Sequence, residues 1–200
     1  MATISNRAVK AQGRLSYPNL FTARAANETA KPKYGATLLI PKTDTATVQR
    51  VQAAIDAAVQ DGVDRRIFKT PIDPSATKYP PLRDGDKPND SGEQRGDEFA
   101  GHWFISAKAP GDKPRPAVVD ANVQPVMDEA EIYPGCYVNM FVEFYAYDQS
   151  GNKGIAASLR GTQFVRDGDR LGGEQLEAED MFSTVAGNSG AAASSDDDWL

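Results

Sequence analysis

From Arg7 to Tyr17 apolar and polar positions alternate, with Val9, Ala11, Gly13 and Leu15 on one side and Lys10, Gln12, Arg14 and Ser16 on the other. A period of two predicts a strand with one basic, polar face, and Pro18-Asn19 is expected to turn it. Lys33 to Pro41 predicts a second strand, apolar enough between Tyr34 and Ile40 to lie centrally in a sheet. From Thr43 to Gly62 the period changes. Val48, Val51, Ile55, Ala58 and Val59 recur at three-and-four spacing, the mark of a helix with one buried face. Thr43 or Thr45 is expected to cap its start, and Gly62 to give a left-handed exit. The other helix side (Gln49, Arg50, Gln52, Asp56, Gln60) is polar, so the helix should pack on the outside of a sheet.

Prolines 71, 74, 80, 81 and 88 interrupt any ladder between Phe68 and Ala100, which predicts a long irregular segment. His102 to Lys108 and Pro116 to Asp120 follow as strands. Tyr137 to Tyr147 and Lys153 to Val165 then predict a long hairpin around Ser150-Gly151-Asn152. Placing Asp148 opposite Lys153 pairs Val142 with Leu159, Phe144 with Ala157 and Ala146 with Ile155, a wholly apolar face. A five-residue loop would instead put Arg160 against Met140 and mix the faces, so this register is preferred. The opposite face carries Tyr137, Phe141 and Tyr145 beside Ser158, Arg160 and Thr162. Aromatics on an outward face are either covered by another element or offered to a flat ligand. Single-stranded nucleic acid is such a ligand, with roughly 1–3 kcal/mol per stacked base.

Charge sharpens this picture. The net charge is −6, but residues 1–166 hold 21 Lys/Arg against 19 Asp/Glu, whereas residues 167–200 hold 1 against 9. A near-neutral body with a basic front and an acidic end predicts a polyanionic ligand and an internal competitor for it. The end itself, Asp196, Asp197, Asp198, Trp199 and Leu200, follows a Gly/Ala/Ser/Asn-rich run that has too little apolar surface to fold. An aromatic anchor flanked by charge fits a docking peptide for a protein partner. A short helix is expected near Glu174 to Phe182.

Chemistry finds little purchase. One cysteine (Cys136) and one histidine (His102) exclude an internal disulfide and zinc sites of clustered His and Cys. Neither a phosphate-cradling G-x-x-x-x-G-K-[ST] nor a G-x-S-x-G elbow occurs. Asp84 to Glu93 fails the calcium-loop pattern at Pro88 and Asn89. Asp120, Asp128, Glu129 and Glu131 are the carboxylates a metal-dependent nuclease would need, yet they fall in an irregular stretch. No catalytic residue, metal or cofactor is expected. No apolar run is long enough to span a bilayer, and Met1 to Lys10 lacks a signal peptide's apolar centre.

Several segments together resemble a known family. They are Gly13 to Phe21, Lys31 to Lys42, Leu82 to Lys87, Arg115 to Asn122, Ile132 to Asn139 and Gly151 to Ala156. Their ordered series, covering about residues 7–166, resembles the bacteriophage OB-fold single-stranded-DNA-binding proteins. The resemblance implies a mainly β fold, an OB-fold-like small antiparallel barrel with one packed α-helix, over residues 1–166, and a flexible acidic C-terminal tail over 167–200. It implies a non-enzymatic role in phage DNA replication or recombination in the cytoplasm of the infected host. It also implies that the tail competes with DNA and recruits replication or recombination proteins.

From the residues themselves, Lys10, Arg14, Lys31, Lys33, Arg83, Lys108 and Arg160 are the candidates for phosphates. Tyr34, Tyr79, Trp103, Tyr137, Phe141 and Tyr145 are the candidates for stacking on bases. Rivals from other classes are the nuclease and a phage structural or assembly protein, and homo-oligomerisation stays open.

Overall fold

The computed structural model describes residues 4–172. The acidic end Asp196 to Leu200 and the helix expected near Glu174 lie outside the described residues. Among the described residues seven strands and one α-helix follow in the order β1 (Ala8–Arg24), β2 (Lys33–Pro41), α1 (Thr45–Asp64), β3 (Arg83–Asp84), β4 (His102–Pro110), β5 (Ala117–Val119), β6 (Tyr137–Gln149) and β7 (Asn152–Arg166). Five of them close a barrel in the order β1, β2, β4, β7, β6, with β6 returning to β1. Closure rests on a short parallel pairing of β4 with β7, Ala107 to Ala157 and Lys108 to Ser158. β3 extends the sheet beyond β4, and β5 adds to β7 in parallel. This is a closed five-stranded barrel of the OB kind, with one helix packed on it.

The alternation along each strand fills the barrel. Val9, Ala11, Leu15, Leu38, Ile40, Ile105, Ala107, Val138, Met140, Val142, Phe144, Ile155 and Leu159 all point inward and are buried. α1 adds Val51, Ala54, Ile55, Ala58 and Val59 to the same core, which follows from its three-and-four spacing. Its start is capped by neither threonine. Asp44 is the N-cap, and its carboxylate accepts the Thr47 N–H at 3.0 Å. Nor is Gly62 the exit. It lies inside α1, where a Cβ would meet the Phe68 ring at 2.6 Å and the Ala146 methyl at 2.7 Å. The left-handed residue after the helix is Arg66, at φ 61°.

The hairpin has the expected register throughout its apolar face, with Asp148 opposite Lys153, Val142 opposite Leu159, Phe144 opposite Ala157 and Ala146 opposite Ile155. Ser150 (φ 52°) and Gly151 (φ 83°) form the two-residue turn, and such turns need positive φ at both positions. The polar face departs from expectation. Phe141 pairs with Gly161 and Val142 with Leu159, so Arg160 is the extra residue of a bulge. Beyond the bulge Thr162 pairs with Met140 and is buried, not turned outward.

Pro18-Asn19 does not end β1 either. The strand continues to Arg24, and the irregularity is absorbed by shifts in its pairing with β2 between Ser16 and Asn19 and again before Arg24. After Arg166 the chain stays tied to the barrel. The Arg14 guanidinium donates to the carbonyls of Gly135 and Asp169, the Tyr133 hydroxyl donates to Asp167, and the Leu171 N–H donates to the Pro134 carbonyl.

Candidate nucleic-acid interface

Beside Leu39 and Phe104, the outer face of β2 and β4 carries the small or polar Gly35, Thr37, Ser106 and Lys108. Flanking segments rise around it: Tyr17 and Asn19 of β1, Tyr79 to Arg83 of the irregular segment, and the tip of the β6–β7 hairpin. Together they enclose an open groove of about 750 Å3. Four tyrosines line it, Tyr17, Tyr79, Tyr145 and Tyr147. Three of them are well exposed, Tyr17 at 64%, Tyr79 at 44% and Tyr145 at 43%. Exposed rings of this size cost solubility unless a flat partner covers them.

Tyr17 carries a second mark. Its φ of 46° places a bulky aromatic in the left-handed region, where such residues are rare. The strain falls where β1 loses register with β2, and it leaves the side chain beside the groove rather than in the sheet. The groove's charged lining is Lys33, Arg83 and Lys108, with no carboxylate among its residues. Among the described residues none of these three makes an ion pair.

Residues 84–148 hold 13 Asp/Glu against 5 Lys/Arg, and several of these carboxylates are engaged away from the groove. Asp84 and Asp86 both bind the Lys42 ammonium, at 2.5 and 2.6 Å. That charge-assisted contact holds both carboxyls below the usual carboxylate range and the Lys42 amine above its own. Asp120 accepts the N–H groups of Asn122 and Gln124, and Asp128 accepts that of Ala130. Those carboxylates stabilise turns. Among the described residues no three His, Cys, Asp or Glu come together as metal ligands.

The thirteen candidates from the sequence therefore separate. Lys33, Tyr79, Arg83, Lys108 and Tyr145 line the groove. Lys10 and Lys31 are exposed but do not line it. Arg14 is engaged with Gly135 and Asp169. Tyr34 packs against the barrel core. Trp103 pairs with Ile40 and Asp84 in the ladder, with the Lys42 ammonium 5.2 Å from its ring. Tyr137 is covered by the Arg166 guanidinium, 3.4 Å from its ring centre. Phe141 is half-buried opposite Lys10 and Gly161. Arg160 is held by Glu143, which also binds Arg7. Sequence reasoning missed Tyr17 and Tyr147. Tyr147 was legible in the hairpin alternation, one face-step beyond Tyr145, whereas nothing in the pattern announces the left-handed turn at Tyr17.

A small closed barrel with one open face of rings and cations is a binding module of the OB class. The chain belongs to the family of the ssDNA-binding protein of Enterobacter phage Enc34, whose model matches residues 6–197. It is 36% identical over 177 residues to protein p50 of Acyrthosiphon pisum secondary endosymbiont phage 1, covering 86% of this chain and 90% of that one. Among solved structures it resembles the single-stranded DNA-binding protein of bacteriophage Enc34 in complex with ssDNA, with a TM-score of 0.68 at 24% identity over 86% of this chain and 97% of that one. It also resembles gp2.5, a single-stranded DNA-binding protein encoded by bacteriophage T7, with a TM-score of 0.51 at 17% identity over 93% of this chain and 98% of that one.

Proposed function

We propose that this chain binds single-stranded DNA with little regard to sequence, in replication or recombination of a phage genome within the host cytoplasm. The observation that carries this reading is the groove: four tyrosines and three cations, with no carboxylate among them. Every base offers a ring face, so tyrosines stack on any sequence, while Lys33, Arg83 and Lys108 follow the phosphates. A duplex keeps its bases stacked inside and offers these rings nothing.

The acidic end would act as a competitor for the groove and a handle for replication or recombination proteins. Two observations support competition. Residues 167–200 carry 9 acidic against 1 basic residue. The chain also reaches Leu171 packed against Leu39, Phe99 and Phe104, the cluster on which Tyr17 and Arg83 of the groove rest. The acidic segment thus starts at the groove's rim, where its effective concentration is high.

Fluorescence anisotropy of labelled oligo-dT, against duplex of equal length, tests the reading. Full-length protein should prefer the single strand, and removal of residues 173–200 should tighten binding at low salt. Equal affinity for both nucleic acids overturns the stacking reading. Equal affinity of full-length and shortened protein overturns the competition.

A further inference from the structure

Next to the groove lies a strip that the sequence pattern did not reveal. Phe104 stands on the outer face of β4 between Leu39 of β2 and Arg83 of β3, its cross-strand neighbours. Its ring meets that of Phe99 edge-on, 5.0 Å between centres. The Arg83 guanidinium lies 4.9 Å from the Phe104 ring centre, and the Arg95 guanidinium lies 4.8 Å from the same centre. Arg95 also lies 5.9 Å from the Phe99 ring. Two cations thus share one aromatic ring.

Among the described residues neither arginine makes an ion pair. Arg95 donates to the carbonyls of Lys87 and Pro88, which fixes its place without cancelling its charge. Arg83 Nε is buried and has no hydrogen-bond partner among the described residues. A buried donor left unmet is costly, and each such group asks for an acceptor. Burial, and then the charge of Arg95, lower the Arg83 pKa, with Asp90 acting the other way.

We propose that Arg83 and Arg95 form a paired-guanidinium seat for one backbone phosphodiester of the bound strand. The proposal rests on the single-stranded-DNA reading and adds to it the place where the strand is gripped by charge rather than by stacking. A phosphodiester brings one negative charge and two free acceptor oxygens, the complement of two planar forks. A stacked base would leave both charges standing. Phe104 and Phe99 hold the forks in place beforehand, so little ordering is lost when the strand arrives. Arg83 lines the groove, and Tyr17 joins the strip by stacking on Phe99, so the seat lies on the path of a strand that covers Tyr17.

The test is the salt dependence of oligo-dT binding by the full chain, for Arg83→Gln, Arg95→Gln, the double variant and Arg95→Lys, with Tyr145→Ala alongside. A phosphate neutralised on a single strand contributes about 0.7 to the slope of log K against log salt. Either glutamine variant should lower the slope by about 0.7, and the double variant by no more, because the one shared phosphate is held only when both cations grip it. Arg95→Lys should keep the slope and weaken binding, since it keeps the charge and loses the fork. Should Arg83→Gln prove too unstable to measure, Arg95→Gln alone decides, because Arg95 sits in a loop outside the ladder and touches, among the described residues, only the carbonyls of Lys87 and Pro88 and the rings of Phe99 and Phe104. Unchanged slopes while Tyr145→Ala still weakens binding overturn the seat and leave the stacking groove standing. A double variant that loses twice that slope overturns the sharing of one phosphate. Loss of neither slope nor affinity in any variant overturns both the seat and the single-stranded-DNA reading.

Discussion

The ring of Tyr17 lies 6.4 Å from that of Phe99, with 25° between their planes. This stack joins the strained bulge of β1 to the short 3-10 turn at Asp97–Phe99. It turns a tyrosine that the strand pattern would have placed in the sheet into an exposed platform. Holding a non-glycine residue in the left-handed region costs about 1–3 kcal/mol, and such outliers gather at functional sites.

Tyr17→Gly separates the two roles. Glycine accepts the φ of 46° without strain, which offsets the lost stack on Phe99. The melting temperature should therefore hold nearly constant. Affinity for oligo-dT should fall by roughly 1–3 kcal/mol, the value of one stacked base. A matched pair of measurements, thermal melting and anisotropy, checks this. A large drop in melting temperature with unchanged affinity would show that Tyr17 is only structural.

Gly62→Ala should destabilise, against the usual sign. In an open helix interior the change gains about 1 kcal/mol from propensity. Here the new methyl would meet the Phe68 ring at 2.6 Å and the Ala146 methyl at 2.7 Å. Both neighbours are buried, and overpacking of this kind costs about 1–3 kcal/mol. Thermal melting should show a decrease of a few degrees, with DNA affinity untouched once the protein is folded.

The residues explain what the sequence could and could not disclose. The hairpin register was legible because one pairing alone buries Val142, Phe144, Ala146, Ile155, Ala157 and Leu159 together, and a slip would expose them all. The bulge at Arg160 was not legible. It moves a single residue out of pairing while both flanking patterns stay intact, and no alternation shows that Arg160 is held by Glu143. Tyr79 and Arg83 could be picked out only as the aromatic and the cation of an irregular stretch. Arg95, in the same stretch, gave no periodic signal, and only the packing of the chain over Phe104 reveals it. Arg14 lies on the basic face that the alternation predicts, but its partners, Gly135 and Asp169, offer backbone carbonyls, which no side-chain pattern can show.

The Lys42 clasp on Asp84 and Asp86 sets a pH limit on the groove's border. It pins Asp84 of β3 beside Arg83, and Asp86 also accepts the Gly101 N–H next to β4. Both carboxyls sit below their ordinary pKa in the folded chain. Their contribution to stability is therefore complete above the unfolded value of about 4 and disappears as pH falls through the folded values. Lys42 is shifted upward, so its share is complete below its ordinary value and is lost only in strong alkali. Melting temperature followed from pH 7 down to pH 3 should drop more steeply for the natural chain than for Asp84→Asn/Asp86→Asn. Parallel curves would show that the clasp contributes nothing.

Lys108 and Arg160 should behave differently although both are exposed cations on neighbouring strands. Lys108 lines the groove and makes no ion pair among the described residues. Arg160 is the bulged residue held by Glu143. A cation already balanced by a carboxylate releases no counterion from DNA, whereas an unpaired one does. Lys108→Ala should lower the slope of log K against log salt by about 0.7, the value for one phosphate on a single strand. Arg160→Ala should leave that slope unchanged, because Glu143 keeps Arg7 as a partner at 3.2 Å and gains no new influence on the groove. Titrations of oligo-dT at four or five salt concentrations are sufficient to resolve the difference. If Arg160→Ala removes as much slope as Lys108→Ala, the strand runs across the bulged edge of the hairpin and not along the tyrosine groove.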